Sequence, residues 1–129
     1  MVAANYVREQ SEIVVRTHGI TLPQYNVLRI LRGAYPEGHP RYEIAGRMLD
    51  RAPDVTRIID RLAEKQLVAR DRGAADRRHS VTRITQAGLA LLEAIDPEME
   101  AAFEPMESRL TLGDANELSR LCELLYEGT

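Results

Sequence analysis

The chain has one cysteine, Cys122, one phenylalanine and no tryptophan among its 129 residues. A single thiol cannot build an internal disulfide framework and suits a reducing compartment, so a cytoplasmic location is expected. So few aromatics advertise no large aromatic substrate groove. No apolar run approaches the roughly 20 residues needed to cross a bilayer, so no membrane segment is expected. The opening, MVAANYVREQSEI, lacks the apolar stretch of a signal peptide. His18, His39 and His79 are isolated, without a carboxylate or cysteine at ligand spacing, which argues against a metal site or a metal cofactor. Nucleophile–base pairs and phosphate loops are missing as well, so no catalytic residues are assigned and no enzyme is expected.

What is present is charge, unevenly placed. The net charge is −3, which looks wrong for a protein that docks on a polyanion. Between Arg41 and Arg83, however, 11 basic residues face 7 acidic ones, while the flanks hold 6 basic and 13 acidic. The local field, not the total, decides where a polyanion docks. A chain of this length makes one domain, residues 1–129.

Apolar spacing of three and four predicts a helix over residues 3–18, with Tyr6, Gln10, Ile13, Val14 and Thr17 on its stripe. Thr21, with Gln24 three residues on and Pro23 in the first turn, is a start signal for a second helix that buries Val27, Leu28 and Leu31. Gly33 and the loop from Tyr35 to Pro40 end it. A short third helix from about Tyr42 to Leu49 is expected to bury Ile44, Ala45, Met48 and Leu49. Pro53 then opens a fourth helix with Val55, Ile58, Ile59 and Leu62 on one face and Thr56, Arg57, Asp60 and Glu64 opposite.

Val68–Arg72 and His79–Ile84 read as strands, joined by a turn at Gly73–Asp76. Thr85 is a candidate cap for a long helix carrying Leu89, Leu92, Ile95, Met99, Ala102, Phe103 and Met106, which Pro97 and Pro105 should bend or interrupt. Thr111 and Asp114 mark a last helix with Leu118, Leu121, Cys122 and Leu125 on one side; there Cys122 reads as a packing residue. The expected fold is therefore mainly α with a small β-hairpin. Two short helices joined by a tight turn, then a basic hairpin, have the layout of a winged helix-turn-helix. Residues 21–85 form that core. The helical regions 1–19 and 86–129 have apolar faces that so small a core leaves uncovered, and they are expected to pair with a second copy of the chain.

Val55-Thr56-Arg57, Asp60-Arg61-Leu62, Leu67-Val68, Arg70, Asp76-Arg77-Arg78, Val81, Ile84-Thr85 and Gly88 follow one another in an order that resembles the MarR family of transcription regulators. The likeness extends over nearly the whole chain. It implies a homodimer, most often a repressor, whose recognition helices enter successive major grooves of a pseudo-palindromic double-stranded operator. On that resemblance Pro53, Asp54, Thr56, Arg57 and Arg61 lie on the recognition helix, and Arg72, Arg77 and Arg78 on the wing. Arg77 is the residue assigned to the minor groove, where a narrow, negative groove attracts guanidinium. Arg78 either holds a phosphate or pairs with Asp76, which supports the wing. Asp54 either accepts from a cytosine amine or stabilises the helix N-terminus. A small-molecule effector pocket is implied as well, with Tyr6, Ile13, His18 and Tyr25 as its candidate lining.

The chain departs from the family's pattern in that Tyr42 stands where a small capping residue is usual, Gln66 where glycine often is, and the N-terminal helix is expected to begin late. Two plainer readings compete. Arg57 and Arg61 stand three residues from Asp60 and Glu64, the spacing of an ordinary salt-laced surface. A winged helix can also serve as a protein–protein interaction module without binding DNA.

Overall fold

A computed structural model of the chain describes residues 2–49, 54–71 and 80–107, with side chains from Arg8 to Ala102. Among these residues the order is α1 (Val2–Thr17), α2 (Leu22–Gly33), β1 (His39–Pro40), α3 (Arg41–Arg47), α4 (Val55–Glu64), β2 (Val68–Arg70), β3 (Val81–Ile84) and α5 (Gln86–Glu107). The mainly helical winged helix-turn-helix expected from the sequence is present. The turn at Gly73–Asp76, the strand ends at Arg72 and His79 and the last helix with Cys122 lie outside the described residues, as do the side chains of Phe103 and Met106.

Local chemistry sets the helix starts. Thr21 and Gln24 form a reciprocal capping box: the Gln24 backbone N–H donates to Thr21 Oγ1 at 3.2 Å, and the Thr21 N–H to Gln24 Oε1 at 3.0 Å. Thr85 caps α5 by accepting from the Gly88 N–H at 3.1 Å, while its own hydroxyl donates to the Gln66 carbonyl at 2.8 Å. Gly88 is required there. A Cβ would lie 2.5 Å from the Leu67 carbonyl oxygen, and that same oxygen accepts the Thr85 N–H at 3.1 Å.

A third strand was not expected. β1 pairs antiparallel with β3, His39 opposite Thr82 and Pro40 opposite Val81, so the sheet order is β1-β3-β2. Two residues are too short to show an alternation, and a proline is tolerated only at such an edge. Gly38 makes the approach possible, since a Cβ would fall 2.0 Å from the Thr82 carbonyl oxygen. The two expected strands pair antiparallel, with Val68 opposite Ile84 and Arg70 opposite Thr82.

One core joins the elements: Val15 and Ile20, Tyr25, Val27, Leu28 and Leu31 of α2, Ile44 of α3, Val55, Ile59 and Leu62 of α4, Val68 and Ile84 of the sheet, and Leu92, Ile95 and Met99 of α5. Two expectations are corrected and a third is narrowed. Among the described side chains of α1 the buried ones are Ser11 and Val15, while Ile13 is 56% exposed and Thr17 is exposed. The run Ile13-Val14-Val15 spreads over about 200° of a helix, so it does not by itself select a face. On α3 only Ile44 is buried; Met48 is half-buried, and Ala45 and Leu49 are exposed. A seven-residue helix has room for about one core contact per turn, and Leu49 lies past the helix end. Of the two outcomes expected at Pro97 and Pro105, interruption does not occur: α5 is continuous through both. Pro97 is exposed, so water can satisfy the carbonyl it leaves without a helical partner.

Candidate nucleic-acid interface

The first turn of α4 is built by Asp54. Its side chain accepts from the Arg57 backbone N–H at 3.2 Å, and its carbonyl accepts from Ile58 N–H at 3.1 Å. Of the two roles open to Asp54, the structure shows the helix cap. Val55, Ile59 and Leu62 anchor the helix in the core and Ile58 is half-buried, which leaves Thr56, Arg57 and Arg61 exposed on the other side. Asn26, buried in α2, accepts the Leu49 N–H through Oδ1 at 2.9 Å and so fixes the chain where it leaves α3. No periodicity flags that side chain, because its partner is 23 residues away.

The acids on α4 do not all turn to the arginines beside them. Arg61 pairs with Glu64 at 3.8 Å, as a salt-laced face would have it. Asp60 instead pairs with Arg70 of β2, which ties the helix to the root of the wing. Arg57 is left without a carboxylate partner among the described residues. Thr56 accepts a hydrogen bond from Arg41 Nη1 at 2.9 Å, a contact that joins the first turns of α3 and α4. Arg41 was counted with the basic segment but not singled out; its signal was its place directly after Pro40 at a helix start. On the sheet, Arg83 pairs with Asp71 at 3.3 Å. Pro53, Arg72, Asp76, Arg77 and Arg78 lie outside the described residues.

Among the candidate pocket residues with described side chains, Ile13, His18 and Tyr25 have different surroundings. Tyr25 is fully buried and its hydroxyl donates to Asp96 Oδ1 at 3.2 Å. His18 pairs with Glu98, also on α5. Ile13 faces away from the core, and the Tyr6 side chain lies outside the described residues. An open cleft of about 610 Å³ lies elsewhere, where Glu12 and Arg16 of α1 and the start of α2 meet Arg57, Ile58 and Arg61. Asp96 also receives Arg32 Nη1 at 2.7 Å and Arg29 Nη1 at 3.5 Å, making it the meeting point of α2 and α5. Among the described residues no helix is long and apolar enough to cross a membrane, and no cluster of His, Cys, Asp and Glu could hold a metal ion.

A model of the MarR family matches residues 20–80. The HTH-type transcriptional regulator MhqR of Bacillus subtilis (strain 168) is 31% identical over 98 residues, 75% of this chain; the match spans 66% of that relative's length. The homoprotocatechuate degradative operon repressor of Escherichia coli is 27% identical over 110 residues, covering 85% of this chain and 73% of the relative. Among solved structures, a MarR transcription factor from Planctomyces limnophilus is 35% identical with a TM-score of 0.74, covering 95% of this chain and 88% of that one. A mutant MarR from E. coli, solved in complex with operator DNA, shares the fold at a TM-score of 0.74 and 22% identity, over 95% of this chain and 86% of its own. With the helix-turn-helix, the hairpin and the long α5 in the same order, the chain belongs to the MarR family of winged-helix transcription regulators.

Proposed function

We propose that the protein is a sequence-specific double-stranded DNA-binding regulator in the cytoplasm, acting as a homodimeric repressor on a pseudo-palindromic operator. The observation that carries this reading is the first turn of α4. Its capped end presents Thr56 and an arginine, Arg57, that no carboxylate among the described residues neutralises. Guanidinium on an exposed helix start can grip guanine through two hydrogen bonds in the major groove. Arg61 flanks it, Arg77 of the wing enters the minor groove, and Arg72 and Arg78 add positive charge beside it. The relatives support the reading: one is named an operon repressor, and a neighbour of the same fold was solved with operator DNA. Ile13, 56% exposed on the outer side of α1, supports a second copy as partner.

Release by a small-molecule effector belongs to the same proposal. Tyr6, Ile13, His18 and Tyr25 remain its candidate lining. A neighbour from Streptomyces coelicolor, PcaV, was solved with its natural ligand, and this supports a ligand response. A ligand that favours another separation of the recognition helices would weaken DNA binding by population shift.

Selection of bound fragments from random DNA, followed by affinity at several salt concentrations, tests the proposal. A palindromic site is expected, with half-sites roughly 34–36 Å apart and affinity falling steeply with salt. If no sequence is enriched, and the protein instead forms a salt-independent complex with another protein, the chain is an interaction module.

A further inference from the structure

Arg41 and Thr56 are both exposed, both stand in the first turn of their helices, and they are hydrogen-bonded across the helix-turn-helix. Among the described residues, the acids beside them on α3 and α4 are otherwise engaged: Asp54 caps α4, and Glu43 accepts from Arg47 at 3.3 Å. The guanidinium of Arg41 thus keeps a hydroxyl, not a carboxylate, as its partner among the described residues. A guanidinium has five N–H donors, and Thr56 uses one of them.

The chemistry of the threonine is altered by this contact. A hydroxyl offers one donor and two acceptor sites. Deep in a helix it would spend its proton on the carbonyl four residues back, but Thr56 is only the second residue of α4, and the position four residues back precedes the helix. Arg41 occupies one acceptor site, and its positive charge repels any further N–H donor that approaches. The group left for a partner is the O–H proton.

Resting on the DNA-reading function proposed above, we infer that Arg41 is a specificity-determining residue. It fixes Thr56 as a hydrogen-bond donor, so that the pair selects a base edge presenting an acceptor, the O6 or N7 of guanine, the N7 of adenine or the O4 of thymine, over the amine of cytosine. The remaining donors of Arg41 hold a neighbouring backbone phosphate.

The test compares base preferences, selected from random DNA at one salt concentration, for the native chain, Thr56→Val, Arg41→Ala and the double variant. Thermal unfolding of each variant verifies that it folds. Both single variants should flatten preference at the same position, each by about tenfold. The double variant should be no flatter there than either single one. Arg41→Ala should also reduce the slope of log affinity against log salt by about 1. If Arg41→Ala weakens all sequences equally and leaves the Thr56-dependent position sharp, the inference is overturned and Arg41 is a phosphate contact alone. If the native chain enriches no sequence, the DNA-reading function fails first, an outcome distinct from a native preference that both variants retain.

Discussion

Where α2 meets α5, Arg29 and Arg32 converge on Asp96, and Tyr25 joins them. Where α3 meets α4, Arg41 holds a hydroxyl and Arg57 holds no acid among the described residues. The two regions spend the same side chain in opposite ways. At the first, Arg29 is 2% exposed, its charge is taken out of water, and the carboxylate makes that burial tolerable. At the second, the cations stay in water with their donors available. An arginine's partner, more than its position in the chain, separates those that hold the fold from those that can read a ligand.

The comparison can be broken most directly at Asp96. Asp96→Ala removes the carboxylate that Arg29, Arg32 and the Tyr25 hydroxyl share and should cost about 2–3 kcal/mol of unfolding free energy, less than a fully buried pair because the carboxylate is half-buried. Urea denaturation at unchanged m-value measures it. A loss below about 0.5 kcal/mol would reduce the junction to the level of a surface ion pair.

Arg57→Ala should do the reverse. It should leave stability within about 0.5 kcal/mol while costing about 1–3 kcal/mol at one operator position. An unaltered base preference would end its reading role. Arg77→Ala on the wing should weaken the specific complex by about 1 kcal/mol or more, and an unchanged footprint at fixed salt would remove the minor-groove assignment.

Two smaller changes sharpen the division. Gln66 has φ of +62°, a conformation costly for any residue with a Cβ. Gln66→Gly should stabilise the protein by about 0.5–1 kcal/mol without moving DNA affinity; equal affinity at fixed salt, together with a raised denaturation midpoint, is the signature. The smallest effect concerns pH. Burial, and then the charge of Arg47, lowers the His39 pKa below 6.5, with Glu43 opposing. The unfolded chain then takes up the proton more readily than the folded one. Stability is fully present above pH 6.5 and is lost as pH falls from there through the folded pKa. His39→Gln should flatten that slope, and an identical pH profile in both proteins would exclude His39 as its source.

What could be read from the sequence follows from distance along the chain. The Thr21–Gln24 box, the Thr85 cap and the apolar face of α4 depend on neighbours three or four residues away, and all three stand as read. Asp96 was not legible, because its partners are 64 to 71 residues distant. The Arg41–Thr56 contact was hidden likewise, since it needs the relative placement of two helices. The buried side of α1 was missed because three successive apolar residues fit more than one face. Gln66 was visible as a departure from the family's frequent glycine, and its positive φ supplies the physical reason.

The tie between Thr85, Gly88 and the Leu67 carbonyl has a mechanical consequence. It clamps the root of the hairpin to the first turn of α5, so the two turn together. α5 is 22 residues long, a lever of about 33 Å. A tilt of roughly 5° about one end sweeps the other through about 3 Å. A group that grips the far end of this helix therefore acts on the hairpin root through a long lever arm.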